Sequence, residues 1–318
     1  MAVDLVITGN LNWDTNLFVK ELPKPGHEII VERIDKGPGG KGGNVAVAAA
    51  RILGSKRVGL LACVGADDIG KKHLSILREE GVDISAIQML KHFNSGQAYI
   101  MVDEKGRNMI GTHFGANGGL RDEHITSRPT QVMLASAGTI VIIDPPRQVV
   151  GKLFAEARRL RRRIIWHPGV LTKYGISEFE RDMRDLDYLV MNEHEARQFI
   201  GARKLADSLS AISKVASKAR ILVTLGNKGS TIYSAGKLER QGKISVDKLG
   251  RKIINTTGSG DAFVGAFAAY KVMGLSDTEA FRYANLAGAL KACRAETRGS
   301  PTGKELEKAY SQYWRENT

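Results

Sequence analysis

The feature that most constrains the fold is an alternation of strand-length apolar runs with helical patterns, which is most regular after residue 138. Thr139–Ile143 is a continuous run of strand length, and Val149–Leu160 repeats its apolar residues at helical spacing. The same kinds of segment follow, with strands predicted at Arg163–Trp166, Tyr188–Met191 and Ile221–Leu225 and a helix at Leu205–Ala219. This order predicts a doubly wound α/β fold, with a mostly parallel sheet flanked by helices on both faces.

Two β-rich segments interrupt this pattern in the first 120 residues. One covers about residues 11–36, and the other, about residues 95–116, contains predicted strands at Ala98–Val102 and Asn108–His113. We expect them to meet as a small β-sheet lid inserted in the α/β core. Residues 1–318 are then a single domain, since one large α/β domain can have this length.

The composition excludes several classes of protein. A hydrophobic content of 42% with 25% charged residues is typical of a soluble globular protein rather than a disordered chain, a collagen or a membrane bundle. The N-terminus lacks a basic segment with a long apolar core, so we expect a cytoplasmic protein with no membrane partner. The two cysteines, Cys63 and Cys293, are too few for a disulfide framework or a zinc cluster. The arginine-rich stretch 158–163 hints at a thermophilic source.

The net charge is strongly positive. The 47 basic and 34 acidic residues give +13, which permits nucleic-acid binding and equally suits an enzyme with anionic substrates. The sequence carries no zinc-ligand spacing, recognition-helix signature or aromatic and basic RNA-binding motif, so no specific nucleic-acid partner is predicted.

The strongest local motif is the glycine-rich turn Asn255–Asp261, which follows a strand-like run at Lys252–Ile254 and opens a predicted helix at Gly258–Met273. Uncovered backbone amides at a helix N-terminus attract an anion, and Asp261 is placed to take a proton from a hydroxyl group held above the turn. Phosphoryl transfer needs this combination. Taken alone, a helix N-terminus with a routine cap and a first-turn acid remains the simpler interpretation. A P-loop is excluded, because its lysine signature is absent.

A second glycine-rich segment, Gly37–Asn44, leads into another predicted helix. Its four glycines between Gly39 and Gly43 allow the backbone to approach a ligand closely. Asn44 can cap the helix or bind hydroxyl groups. By itself, the segment fits a binding loop and an ordinary glycine-rich loop equally well.

Together, the two segments resemble the signatures of the ribokinase-like (PfkB) family of carbohydrate and nucleoside kinases. Gly39–Asn44 is similar to the family's sugar-binding signature, and Asn255–Asp261, with Gly265-Ala266-Phe267, to its C-terminal signature. Shorter motifs occur in the family's order at Gly9–Asp14, Asn192–Glu195 and Thr224–Gly229. The resemblance spans nearly the whole chain, and the ordered set is more specific than any single motif.

The resemblance implies a ribokinase-like fold, a homodimer joined through the lids, and transfer of the γ-phosphoryl group of ATP with Mg²⁺. It implies that Asp261 is the catalytic base and that the amides of Gly258, Ser259 and Gly260 form the anion hole. The implied substrate-binding residues are Asn12, Asp14, Gly40, Lys41 and Asn44, together with Asp261. The implied nucleotide-binding residues are Asn192, Thr224, Gly226, Gly258 and Gly260, with Leu286–Ala292 as a candidate adenine-binding segment. Glu195 and Asn192 are implied to hold Mg²⁺ through water.

The sequence departs from the family pattern at three positions. Asn255 stands where an aspartate helps build the monovalent-cation site of some members, so a need for such an ion stays open. His167 follows a strand where many members have Asp-x-Asn, and we interpret it as a solvated or structural histidine or as a substrate contact. Trp13 replaces a smaller residue, where it would narrow the site or stack on a base.

The acceptor is left open between ribose, a nucleoside and ribose 1-phosphate or another sugar phosphate. Lys41, Arg107 and Arg147 would bind a phosphate on the substrate or would simply be solvated charges. ADP in place of ATP, and a sugar or nucleotide sensor without catalysis, are the remaining alternatives. The intact Asp261 and Glu195 argue against the sensor.

Overall fold

The computed structural model describes residues 2–105 and 107–315, and these residues form an α/β fold. The strands are β1 (Leu5–Thr8), β2 (Asn12–Val19), β3 (Arg33–Gly39), β4 (Val58–Leu61), β5 (Cys63–Gly65), β6 (Gln88–Leu90), β7 (Gly96–Asp103), β8 (Asn108–His113), β9 (Thr139–Ile143), β10 (Arg163–His167), β11 (Tyr188–Asn192), β12 (Arg220–Thr224), β13 (Ser230–Ser234) and β14 (Lys237–Gln241). The α-helices are α1 (Lys41–Leu53), α2 (Asp68–Glu79), α3 (Asp122–Thr126), α4 (Arg128–Ser136), α5 (Val150–Arg159), α6 (Glu180–Met183), α7 (Glu193–Ile200), α8 (Leu205–Val215), α9 (Ser259–Val272), α10 (Asp277–Ala292) and α11 (Gly303–Arg315).

Eight strands form the central sheet, in the order β14-β13-β12-β11-β10-β9-β1-β4. The strands from β12 to β4 are parallel, and β13 and β14 are antiparallel additions at one edge. Alternate side chains of each parallel strand enter two separate cores, so that Val141 packs on one face and Ile140 on the other. The predicted doubly wound, mostly parallel sheet covered on both faces is therefore confirmed.

A separate four-stranded sheet, in the order β3-β2-β7-β8, is here called the lid sheet. It is built from residues 12–19, 33–39, 96–103 and 108–113. Its strand β3 runs directly into α1 through Gly40, so the glycine-rich segment joins the lid sheet to a helix of the core.

Helices α1 and α9 pack closely on one face of the central sheet. Gly265 makes this possible, because a Cβ atom there would lie less than 3.0 Å from the Cβ of Ala48. The N-terminus of α1 approaches the end of β1 in the same way, with Gly42 against Gly9. These contacts bring the first turns of α1 and α9 together beside the carboxyl ends of the parallel strands, where ligands bind in such sheets.

One predicted element is absent and several were not expected. Lys252–Ile254 is not a strand, because its isoleucines are exposed and Ile253 lines a cavity instead of pairing with a neighbour. The hairpin β13–β14 and the helices α3, α4 and α7 lie in stretches for which the periodicity indicated no element. None of the helices in the described ranges is long and apolar enough to cross a membrane.

Candidate active site

The glycine-rich turn before α9 adopts a conformation that requires glycine. Gly258 precedes the helix with a φ of 81°, and a Cβ atom there would overlap the carbonyl oxygen of Thr297. Asn255 fixes the start of the turn, since its side chain accepts from the amide of Thr257 at 2.9 Å and donates to the carbonyl of Ala295 at 2.7 Å. The N-cap residue, Gly258, has no side chain with which to cap the first turn of α9. The Ser259 amide donates to the carbonyl of Thr256 at 3.1 Å, so within the described ranges the amides of Gly258 and Gly260 are the ones available to an anion.

Asp261 lies in that first turn and is buried. One carboxylate oxygen accepts a 2.8 Å hydrogen bond from the side-chain amide of Asn44, which is on the facing helix α1. Burial raises the pKa of Asp261, while the Asn44 bond and the positive charge of Lys41 oppose the rise. The structure thus places a carboxylate with raised proton affinity beside the uncovered amides, as a general base requires.

Lys41, the first residue of α1, forms a 2.8 Å ion pair with Asp144. Burial lowers the pKa of the Lys41 ammonium group, but the Asp144 carboxylate outweighs it and raises the pKa overall. Asp144 follows β9 with a φ of 47°, and its second oxygen accepts from the amide of Val170 at 3.1 Å. The sequence analysis did not select Asp144, although an acid directly after a fully buried strand was a usable signal.

Asn12 and Asp14 lie two residues apart on β2 and share one face of the lid sheet. Asn117, which the sequence analysis also missed, orients Asn12 by donating to its side-chain oxygen at 2.8 Å. Burial raises the pKa of Asp14 to about 7, although the charge of Arg298 lowers it. Gly39 and Gly40 allow the start of α1 to approach these side chains, since a Cβ atom on either would overlap β2.

Trp13 lies on the opposite face of the lid sheet from Asn12 and Asp14. Its ring contacts the buried His73 of α2 edge-to-face, with the ring centroids 5.6 Å apart. The alternation of side chains along a strand directs it away from the site, so the suggestion that it narrows the site or stacks on a bound base is not supported.

Arg298, in the loop between α10 and α11, is a third residue that the sequence analysis missed. Only 6% of it is exposed. Its guanidinium group donates to the side-chain oxygen of Asn44 at 3.1 Å and to the carbonyl of Gly39 at 2.8 Å. A single arginine in a loop with several charged residues gives no sequence signal for this position.

A cavity of about 570 Å³ lies on the other side of the α9 N-terminus, within the size range of small-molecule sites. It brings together Asn192, Thr224, Gly226, Ser259 and Gly260, which are distant in the sequence. Three residues of the segment Leu286–Ala292 also line it, namely Gly288, Ala289 and Ala292. Leu286 and Leu290 of that segment are fully buried in the core instead.

Asn192 and Glu195 cap the start of α7 reciprocally, with hydrogen bonds of 2.8 and 2.9 Å between each side chain and the other's backbone amide. His167, at the end of β10, lies with its Nε2 3.9 Å from Glu195. It is buried, so the interpretation as a solvated histidine is wrong. Its charge would lower the pKa of Asp261, which places it beside the same cluster.

Lys291 lies directly beneath the glycine-rich turn, and its side chain is fully buried. Its ammonium group donates to the carbonyl of Asn255 at 2.9 Å and approaches that of Arg294 at 3.5 Å. Burial lowers its pKa to about 8. An ammonium group among carbonyl oxygens therefore supports the turn from below.

Known proteins are similar to this chain in sequence or in fold. The model of the pfkB family carbohydrate kinases matches residues 3–303. A ribokinase of Haemophilus influenzae is 29% identical over 317 residues, covering 96% of this chain and 97% of its own. The structure of ribokinase from Giardia lamblia superposes with a TM-score of 0.87 at 25% identity, covering 98% of this chain and 100% of the other. The structure of Arabidopsis thaliana ribokinase complexed with ribose and ATP superposes with a TM-score of 0.85 at 25% identity, covering 97% and 98%.

Proposed function

Because the chain belongs to the pfkB family of carbohydrate kinases and is thus a phosphotransferase acting on a hydroxyl group, we propose that it phosphorylates ribose or a nucleoside with ATP. The H. influenzae relative is a ribokinase, and the similar A. thaliana ribokinase was captured with ribose and ATP. The proposed acceptor is an uncharged compound that contains ribose.

The position of Asp261 is the observation that carries this proposal. On one side, the cavity reaches Ser259 and Gly260, its immediate neighbours in the first turn of α9. On the other side, Asn44 binds it directly, and Asp14 and Lys41 act on its charge environment. A carboxylate between a nucleotide-sized cavity and a set of hydroxyl-binding side chains suits proton removal from an acceptor that faces a γ-phosphoryl group.

The reaction follows from these groups. The acceptor hydroxyl oxygen forms a bond to the γ-phosphorus while the bond from that phosphorus to the bridging oxygen breaks, so that ADP leaves. The acceptor proton moves to the Asp261 carboxylate as the new bond develops. The amides of Gly258 and Gly260 stabilise the charge on the phosphoryl oxygens in transit without reorganising, while the Ser259 amide is engaged by the carbonyl of Thr256. Asn12, Asp14 and the Lys41–Asp144 pair orient the acceptor hydroxyl groups.

Asn192 and Glu195 fit a Mg²⁺ ion bound through water. Their oxygens suit this hard cation, but the helix cap already engages the single side-chain oxygen of Asn192 and one of the two carboxylate oxygens of Glu195. The described ranges hold no group of three His, Cys, Asp or Glu side chains that would bind a metal directly. When bound, Mg²⁺ would neutralise charge on the nucleotide phosphates.

The charges around the site favour an uncharged acceptor over a sugar phosphate. Lys41 is paired with Asp144, Arg107 with Asp103 at 2.6 Å, and Arg147 with Glu178 at 2.6 Å. A substrate phosphate would have to displace a carboxylate from one of these cations. Free ribose or a nucleoside needs no such exchange.

The lid sheet also carries an apolar row that supports homodimer formation. Ile34, Leu17, Met101 and Met109 are register partners across its four strands and share one face. Ile34 and Met109 are more than half exposed. A second copy of the chain that packs on this face would remove the row from water.

A phosphoryl-transfer assay with Mg²⁺ tests the function. ATP and ADP are each crossed with ribose, several nucleosides, fructose 6-phosphate and ribose 1-phosphate. We expect ATP-dependent turnover of ribose or a nucleoside. In the Asp261→Asn variant, turnover should fall by ~10²–10⁴-fold because the base is lost.

Asp68→Asn is the matched control, since Asp68 is an exposed first-turn aspartate of α2. It should keep wild-type turnover. An Asp261→Asn variant with wild-type turnover would refute the role of the base. Nucleotide binding without turnover of any acceptor would favour the sensor instead.

A further inference from the structure

Arg298 does not reach the reacting atoms in the proposed reaction. It is, however, hydrogen-bonded to Asn44, which contacts the proposed base. Its Nε donates to the Oδ1 of Asn44, and the Nδ2 of Asn44 donates to Asp261. The three side chains therefore form one chain of hydrogen bonds that ends at the proposed base.

The direction of this chain is fixed by chemistry. A guanidinium group carries donors and no acceptor, so it can face only the oxygen of the Asn44 amide. The amide NH₂ group must then face Asp261. If the amide were rotated by half a turn, its oxygen would oppose a carboxylate oxygen and its NH₂ would oppose the guanidinium N–H, which loses two hydrogen bonds and adds two repulsions.

The guanidinium group is itself held in place. Its Nη2 donates to the carbonyl of Gly39, and Arg51 supports the loop by donating to the backbone carbonyls of Arg298 and Ser300 at 3.1 and 2.7 Å. Burying a charged group this deeply is costly and lowers the pKa of Arg298 to about 10. Apolar packing would fill the same space without that cost, so the position of the charge calls for a reason beyond stability.

We propose that Arg298 is a positioning residue, which locks the Asn44 amide with its NH₂ group toward Asp261 and thereby keeps the base ready to accept a proton. This inference rests on the proposed function, because Asp261 acts as a base only in that reaction. Arg298 and the loop that carries it are thus part of the catalytic arrangement, although they lie outside both glycine-rich signatures.

The expected effect is on the proton affinity of Asp261. The charged or titratable groups that act on it are Lys41, Asp14, Asp144, His167, Lys291 and Arg298. Of these, Arg298 alone also bonds to the Oδ1 of Asn44 in the described ranges. Removing it frees the amide to rotate and removes a positive charge, and both changes favour the protonated carboxyl group.

The first test measures the Asp261 carboxyl group directly, in full-length protein labelled with ¹³C in its aspartate carboxyl groups. The resonance is assigned by its loss in Asp261→Asn. We expect Arg298→Met to raise the pKa of Asp261 by about one unit. Arg294→Met is the matched control, because Arg294 is an arginine of the same loop that donates to the backbone carbonyl of Ser300 and has no bond to Asn44 in the described ranges. It should leave the titration unchanged, and equal shifts in the two variants would overturn the inference.

The second test asks whether Arg298 acts through Asn44. In an Asn44→Ala background, Arg298→Met should shift the titration clearly less than in the wild type, since the amide to be locked is gone. An equal shift in both backgrounds would mean that the guanidinium acts by charge alone and would overturn the inference. If Arg298→Met does not fold, Arg298→Lys replaces it, since it keeps the charge and loses the planar fork, and a wild-type titration in that variant would also overturn it.

Kinetics distinguish this inference from the function on which it rests. If both hold, the acid limb of the turnover profile moves to higher pH in Arg298→Met, so that turnover falls about 10-fold at low pH and little at high pH. A merely structural role would lower turnover by the same factor at every pH, and this inference alone would then fail. The titration is measured without turnover, so a wild type without kinase activity overturns the proposed function while the titration still decides whether Arg298 controls the carboxyl group.

Discussion

Replacing Gly258 by alanine separates the effect of backbone conformation from that of close packing. The φ of 81° costs about 1–2 kcal/mol for a residue with a Cβ atom. The Cβ atom would also lie less than 3.0 Å from the carbonyl oxygen of Thr297, whereas 3.4 Å is an ordinary contact, so the turn must move. Overpacking of this kind costs about 1–3 kcal/mol more. We expect Gly258→Ala to lower the free energy of unfolding by about 2–5 kcal/mol relative to the wild type.

Gly274 provides the matched control, because it has a φ of 88° but open space around its Cβ position. Gly274→Ala should lose only the conformational part, about 1–2 kcal/mol. With about 2.1 cal/mol/K of unfolding entropy per residue, each kcal/mol lowers the melting temperature of a chain of 318 residues by about 1.5 °C, so the two variants are separable in thermal melts.

Turnover provides the second readout. A displaced turn moves the amides of the anion hole, so Gly258→Ala should lose about 10²-fold in turnover at a temperature where it is folded, while Gly274→Ala keeps wild-type turnover. Equal losses of stability in the two variants, together with normal turnover in Gly258→Ala, would refute the argument that the turn is held by close packing.

The remaining predictions concern charge and assembly. Asp14 has a folded-state pKa of about 7 against an ordinary 3.8, so its ionisation destabilises the folded protein as the pH rises through this window. The melting temperature of Asp14→Asn should therefore match that of the wild type near pH 4 and exceed it increasingly up to about pH 8. The KM of this variant for the acceptor should rise. Lys291 already supplies a cation beneath the turn, so wild-type turnover should be the same in Na⁺ and K⁺. The turnover that is lost in Lys291→Met should be partly restored by K⁺ or NH₄⁺. Strong activation of the wild type by K⁺ would contradict this prediction. Met109→Glu should convert a dimer to a monomer in light scattering. Val132→Glu, at an equally exposed site on α4, should leave the dimer intact. If both variants remain dimeric, the interface lies elsewhere.

The sequence predicted the central sheet well because buried parallel strands are continuous apolar runs. Thr139–Ile143 is predicted and observed with the same bounds. The edge hairpin was not predicted because β14 is mostly polar and exposed, so it lacks the pattern. The apolar run Lys252–Ile254 has the composition of a strand, but Ile253 lines the cavity and Ile254 is exposed.

The site was predictable where a local motif contains both the functional residue and its glycines. Asn44 and Asp261 are examples, because a residue at a helix start can be recognised from its neighbours alone, and they lie in contact in the structure. Their roles stay predictions. Asn117 and Arg298 were missed because what places them is a contact with a remote part of the chain, whereas Asp144 was missed although its position directly after a buried strand was a usable signal. Trp13 was misjudged because a motif does not say toward which face of a strand a side chain points.

The hydrogen bonds that join Asn44 to Asp261 and Arg298 span 217 and 254 residues of the chain. Contacts of such separation carry the largest loop-closure cost and form late in folding. A chain released from denaturant will therefore regain its helical circular dichroism before it regains turnover. The recovery of turnover therefore reports the rate of the last step of folding. A nascent chain has no working site until the segment that precedes α11 has been synthesised.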